Sequence, residues 1–247
     1  MFGLPSGTEA CLFDMDGVVT QTALVHAAAW KEMFDGFLRQ WAEQHGQQFV
    51  PFDEVREYDE YVDGKPRLDG TRSFLESRGI HLPEGSADDP PGAATIYGLS
   101  NQKNELVLKK IATDGVKVYD GTIAYIKQVR AAGLRTAIVS SSANTVQVLN
   151  SAGIAGLFDT RIDGHVASAR HLAGKPEPDT YLAAAHDLNV PPARAAVFED
   201  ALAGVQAGRA GHFGLVVGVD RVGQAEALKQ HGADIVVKDI SELLEKA

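Results

Sequence analysis

Leu12-Phe13-Asp14-Met15-Asp16-Gly17-Val18-Val19-Thr20 closes an apolar run that begins at Ala10 and leads into a turn. Two carboxylates stand two residues apart where the run ends, and Gly17 gives the backbone freedom to bend sharply. Further apolar runs occupy residues 135–139, 195–198, 215–219 and 234–237, each bordering a helix-like segment. Such alternation predicts a Rossmann-like α/β core, a parallel sheet with helices on both faces. In open sheets of this kind ligands sit outside the carboxyl ends of the strands, which is where Asp14 and Asp16 fall.

The second core run begins only at Arg135, a gap from Phe13 far too long for one crossover helix. Helical patterns at 22–45, 67–78 and 99–112 lie inside it, the second ending at Gly79 as a C-cap. Between the last two runs His81-Leu82-Pro83-Glu84-Gly85-Ser86-Ala87-Asp88-Asp89-Pro90-Pro91-Gly92, rich in helix breakers. The expected organisation is a core of residues 1–21 and 114–247 carrying an inserted α-helical cap of residues 22–113.

Composition sets outer bounds. The chain has 247 residues, 45% hydrophobic and 23% charged, enough to bury a sizeable core. Thirty-three acids against 23 Lys and Arg give a net charge of −10, so no global positive field favours nucleic acid or anionic lipid. The single cysteine, Cys11, lies in an apolar run and cannot form an intrachain disulfide. With no long apolar stretch and no basic leader at the start, neither export nor a membrane span is expected, and the default location is the cytoplasm.

Three further segments fall where a strand would hand over to a loop. Ser140-Ser141-Ser142-Ala143-Asn144 offers hydroxyls and backbone N–H groups at a helix start, a cradle suited to phosphate. Gly174-Lys175-Pro176-Glu177-Pro178-Asp179 fixes one ammonium in a stiff turn, and Glu199-Asp200 adds two acids before a helix. Taken singly, the Asp14–Gly17 stretch and these three segments also read as an Asp-Gly turn, a helix cap, a Pro-rich turn and acids at a helix N-terminus. Together they offer paired acids for a hard cation, a nucleophile and a proton donor, and a cation for phosphoryl oxygens.

The order Asp14 and Asp16, Ser140, Lys175, Glu199 and Asp200 resembles the haloacid dehalogenase (HAD) superfamily of phosphotransferases. That resemblance implies the HAD fold with Asp14 as a nucleophile forming an aspartyl phosphate and Asp16 as general acid/base. Ser140 and Lys175 would hold phosphoryl oxygens. Asp14, the backbone carbonyl of Asp16, Glu199 and Asp200 would hold Mg²⁺.

A closer likeness, to the β-phosphoglucomutase family, rests on the stretch from Asp14 to Thr22, on His26, Ala29-Trp30-Lys31, Val62-Asp63-Gly64-Lys65-Pro66-Arg67, Lys103-Asn104 and the loop ending in Asn144. It implies a sugar phosphate substrate, interconversion of β-glucose 1-phosphate and glucose 6-phosphate, and a glucose bisphosphate activator. It also implies substrate-binding roles for Thr22, His26, Arg67, Lys103, Ser142 and Asn144, with Arg67 on the second phosphate and His26 and Lys103 tied to closure. A monomer with no nucleic-acid or membrane partner is expected. Gln21, Ala143 and Ala201 depart from common family choices, and the cap is lengthened at 35–60 and 81–98. A Mg²⁺-dependent phosphatase on a sugar phosphate or phosphoglycolate is the alternative, and a catalytically silent module a third reading.

Overall fold

Residues 2–245 are described in the computed structural model of the chain. In chain order the strands are β1 (Ala10–Phe13), β2 (Arg135–Val139), β3 (Thr160–Ile162), β4 (Ala195–Glu199), β5 (Leu215–Val219) and β6 (Ile235–Val237). The helices begin with α1 (Ala23–His45), α2 (Arg67–Ser77), α3 (Ile96–Asp114), α4 (Asp120–Ala131) and α5 (Thr145–Ser151). They continue with α6 (Gly164–Ala169), α7 (Asp179–Asp187), α8 (Leu202–Ala210), α9 (Ala225–Gln230) and α10 (Glu242–Glu245).

The six strands form one sheet in the order β3-β2-β1-β4-β5-β6. Every neighbouring pair is parallel, with Leu12 opposite Ala137 on one side and Val197 on the other. All four residues of β1 and all five of β4 and β5 are buried, as expected of a sheet covered on both faces. Side-chain alternation then divides the core. Leu12, Val139 and Val197 pack with Tyr181 and Val205 on one face. On the other, the rings of Phe13 and Phe198 stack with centroids 4.6 Å apart, and Tyr125 of α4 meets Phe13 edge-on.

The chain divides into two units, Met1–Gln21 with Gly64–Pro66 and Val116–Ala247, and Thr22–Asp63 with Arg67–Gly115. The tripeptide Gly64–Pro66, inside the stretch expected to be inserted, thus groups with the sheet unit.

The helical unit has an aromatic core. Trp30 and Phe34, one turn apart on α1, stack at 5.1 Å, and Phe34 meets Phe74 of α2 at 4.1 Å. Phe52, from the long connection after α1, is only 1% exposed and packs on both Phe34 and Phe74. Its backbone is held by α1, the Phe52 N–H donating to Asp35 (2.8 Å) and Lys31 donating to the Phe52 carbonyl (2.8 Å). The added length after α1 therefore contributes to the core of this unit. The connection ends in Glu57, which accepts two bonds from the guanidinium of Arg78, from Nε at 2.8 Å and Nη2 at 2.9 Å. At the end of α2 Gly79 turns with φ of 67°, as its sequence position predicts.

Asp59 is the second residue of the helical turn Tyr58–Val62. Burial, with a smaller push from the Asp53 carboxylate, lifts its carboxyl to about 6. The folded chain thus holds this proton more tightly than the unfolded one. Stability linked to it is full below the ordinary carboxylate range and lost as pH rises through about 6. After allowance for solvent screening the loss is about 1 kcal/mol. Asp59→Asn is expected to raise the thermal midpoint at pH 7.5 by about 2–4 °C. Melts at pH 4 should show no gap, and a gap of equal size there would contradict this origin.

Candidate active site

The four predicted loops lie at the carboxyl ends of β1, β2 and β4 and just ahead of α7. Asp14 continues the ladder beyond β1, its N–H donating to the Phe198 carbonyl at 3.0 Å. The chain then closes on itself, Thr20 N–H and Oγ1 both donating to the Met15 carbonyl and Gly17 N–H to the Thr20 carbonyl (2.7 Å). Gly17 has φ of 87°, and a Cβ there would lie 1.7 Å from Oδ2 of Asp200. Glycine is required on both counts, backbone conformation and space.

Lys175, 3% exposed, donates from Nζ to Oδ1 of Asp14, to Oε1 of Glu199 at 2.5 Å and, at 3.4 Å, to the Val139 carbonyl. Tyr181 of α7 donates its hydroxyl to the same Glu199 oxygen at 2.9 Å, while its ring lies 5.0 Å below the ammonium. The other Glu199 oxygen accepts the Ala201 N–H at 3.2 Å. Space is equally tight on the helix side, where a Cβ on Gly204 would fall 1.7 Å from Oε1 of Glu199.

Asp14, Glu199 and Asp200 are all buried, and each offers an oxygen within 4.8 Å of the others. Three carboxylates with one ammonium leave two negative charges, which a divalent cation would cancel. An all-oxygen donor set of this kind suits a hard cation. The Asp16 carboxylate is not a member of this cluster.

Proton affinities follow the same geometry. Burial pushes the Asp14 carboxyl well above the usual range, Lys175 pulls it back, and Glu199 and Asp16 push it up again. Burial alone would lower Lys175, but the carboxylates of Asp14 and Glu199 outweigh it and raise the lysine above its ordinary value. Burial, then Glu199, raises the Tyr181 phenol, which therefore stays a donor.

Ser140 is buried beside this group at the end of β2, its N–H donating to the Ile162 carbonyl at 2.9 Å. The Ser140 hydroxyl accepts the Ser142 N–H and the Ser142 hydroxyl accepts the Asn144 N–H, each at 3.1 Å. Ser141 donates to the carbonyl of Gly64 at 2.7 Å.

The remaining predicted residues lie in the helical unit. Thr22 is buried just before α1 and makes no side-chain cap bond, its carbonyl taking the His26 N–H at 2.9 Å. Lys103 of α3 donates to Nδ1 of His26 at 2.8 Å, with its ammonium 4.7 Å over the Trp30 ring. Arg67 begins α2 and is half-buried, and among the described residues no carboxylate pairs with it. Sequence reasoning missed Tyr181, Arg221 and Gln224, whose contacts with the acidic loops depend on tertiary folding; no local pattern marks them.

The family model described as haloacid dehalogenase-like hydrolase matches residues 8–212. The chain belongs to that family. A β-phosphoglucomutase of Mycobacterium tuberculosis is 54% identical over 247 residues, 99% of this chain and 94% of that protein. A β-phosphoglucomutase of Bacillus subtilis is 29% identical, covering 95% of this chain and 91% of that one. Among solved structures, the β-phosphoglucomutase of Clostridium difficile superposes with a TM-score of 0.73 at 26% identity, over 96% of this chain and 93% of that chain. The chain is an enzyme of this family, and its relatives group it with the phosphohexomutases. No helix among the described residues is long and apolar enough to cross a membrane.

Proposed function

We propose that the enzyme interconverts β-glucose 1-phosphate and glucose 6-phosphate through an aspartyl phosphate on Asp14, primed by β-glucose 1,6-bisphosphate. The observation that carries the phosphotransfer is the Asp14 carboxylate, buried at the sheet's carboxyl end, bonded to Lys175 and gathered with two further acids. The choice of hexose is supported by the likeness to curated β-phosphoglucomutases over nearly the whole chain.

In this reading Asp14 attacks phosphorus, the phosphorus–oxygen bond to the sugar breaks, and Asp16 supplies the proton that the departing sugar oxygen takes. In reverse, Asp16 removes the proton from the sugar hydroxyl that attacks the aspartyl phosphate. Transfer from phospho-Asp14 to O6 of β-glucose 1-phosphate gives the bisphosphate. Transfer of its C1 phosphate back to Asp14 releases glucose 6-phosphate. Lys175 and the Ser140 hydroxyl, which keeps its own proton free to donate, would offset charge on the phosphoryl oxygens.

Mg²⁺, held by Asp14, Glu199, Asp200 and the Asp16 carbonyl, would lower the repulsion between carboxylate and phosphate when bound. Tyr181 would orient Glu199 toward it. Tyr181→Phe, which removes only the hydroxyl, is expected to weaken Mg²⁺ binding about tenfold by calorimetry. Unchanged affinity would limit Tyr181 to packing.

Arg67 would take the second phosphate, joined by Ser142 and Asn144, because a planar guanidinium engages two oxygens at once. Thr22, His26 and Lys103 would serve substrate binding in the helical unit. Arg67→Ala should lower sugar-phosphate turnover about 30-fold or more and hydrolysis of p-nitrophenyl phosphate less than about threefold. Equal losses on both substrates would remove Arg67 from the second phosphate.

The reading as a whole is tested by phosphorus NMR with Mg²⁺, β-glucose 1-phosphate and a trace of the bisphosphate. Glucose 6-phosphate should grow without matching inorganic phosphate. Inorganic phosphate alone would make the enzyme a phosphatase. A monomer is proposed, to be checked by light scattering.

A further inference from the structure

The two acidic loops, after β1 and after β4, each have internal hydrogen bonds, yet their spacing must also be set. The loop 220–224, between β5 and α9, reaches both. From it Arg221 donates through Nε to the Gly17 carbonyl at 2.7 Å, and Gln224 donates through Nε2 to the Asp200 carbonyl at 3.0 Å.

The loop itself is stiff. Asp220 donates its N–H to the Val237 carbonyl at 2.8 Å, and its Oδ1 accepts the N–H groups of Gly223 (2.7 Å) and Gln224 (2.8 Å). Arg221 is fixed on two further sides, donating to the Lys238 carbonyl at 2.8 Å and stacking 3.6 Å from the centre of the Tyr119 ring. The rest of the first loop is held from α4 and its approach, Thr122 donating to the Val18 carbonyl at 2.8 Å and Tyr119 N–H to the Val19 carbonyl at 3.0 Å. Gly17 is also the residue that abuts the Asp200 carboxylate, with no room for even a Cβ between them. A shift of the Gly17 peptide is therefore transmitted to Asp200.

We propose that Arg221 and Gln224 are positioning residues: one side chain on each acidic loop's backbone carbonyl, from a single braced loop, sets the separation of the Asp16-Gly17 turn from Asp200, beyond the reach of the β1–β4 ladder that already fixes Asp14 against Phe198. The inference rests on the reading of these acids as the reacting and cation-holding groups. Rigid placement of such groups matters because displacements below 1 Å change rates by large factors.

Hydrogen–deuterium exchange of the whole chain, with hydrolysis of p-nitrophenyl phosphate measured in parallel, tests it with R221A, R221K and Q224A. R221A should speed exchange in residues 16–20 and Q224A in residues 200–203, each about tenfold. Both should lose about tenfold in kcat with KM held within about twofold. Millimolar guanidinium should restore part of the R221A loss and none of the Q224A loss. R221K keeps the charge and the stem but not the fork, and is expected to show the same exchange pattern should R221A fail to fold.

Unchanged exchange in both loops overturns the proposal. So does faster exchange with unchanged turnover, which would leave only a structural tie. Failure of the sugar assignment shows separately, as wild-type enzyme that hydrolyses the aryl phosphate but leaves β-glucose 1-phosphate untouched.

Discussion

Asp14→Asn is expected to reduce turnover of every phosphoester by about 10⁴-fold or more, with the fold intact. The amide matches the carboxyl in shape but cannot form an acyl phosphate, so the covalent route is lost entirely. Binding should survive, because Ser140, Lys175 and the residues proposed for the second phosphate are unchanged. The variant also eases a burden in the native site. Burial, and to a smaller extent the acids beside it, push the Asp14 carboxyl upward, and an amide carries no charge to solvate. Its midpoint of unfolding should therefore equal or exceed that of wild type. Two measurements decide the matter, mass spectrometry of acid-quenched enzyme after incubation with a phosphodonor, and urea unfolding. A phosphoryl group still found on the variant at an acyl phosphate would remove Asp14 from the nucleophile's place.

Lys175→Met carries the second large effect, on stability as well as rate. Its ammonium is bonded to Asp14 and Glu199 in a pocket where the lysine side chain is 1% exposed. Removing one partner of a buried pair leaves the other charges uncompensated, a cost of about 3 kcal/mol or more. The folded lysine holds its proton to a higher pH than a free one. Its contribution is therefore full below the ordinary lysine range and fades only as pH rises through the higher folded value. At pH 7.5 the whole loss should appear in urea unfolding without metal, and millimolar Mg²⁺ should recover part of it. Stability within about 1 kcal/mol of wild type would show that the acids find compensation elsewhere.

How much of this was legible beforehand depended on the kind of signal. β1 and β5 read directly because strands covered on both faces are nearly continuous apolar runs; β2 reads from its apolar end, behind the exposed Arg135 and the buried but polar Thr136, and β4 runs one residue further than expected, to Glu199. β3 escaped notice. It has three residues, Thr160, Arg161 and Ile162, of which only the last is buried, so no run announces it. The three long helices were found by period, α3 starting earlier than its predicted start because Thr95 caps it, accepting the Gly98 N–H at 2.9 Å. The burial of Phe52 was not readable, since its partners Phe34 and Phe74 meet it only through folding.

At the site, Asp14, Ser140, Lys175, Glu199 and Asp200 were legible because each stands where an apolar run ends or a Pro-rich turn begins. Tyr181, Arg221 and Gln224 were not. Arg221 meets a carbonyl 204 residues away in sequence, and nothing in its neighbours' chemistry foretells that.

Gly64–Pro66 has a bearing on how the enzyme can be rebuilt. Because this tripeptide groups with the sheet unit, the chain passes between units at four places, after Gln21, Asp63, Pro66 and Gly115. Its removal would strip the acceptor from the Ser141 hydroxyl and uncover Gly174, where Pro66 now leaves no room for a Cβ. The helical unit is therefore no detachable cassette. A chimera that exchanges 22–115 as one block for a foreign insertion must supply its own version of this tongue, and a minimal catalytic fragment made by excising the block would start from a damaged scaffold.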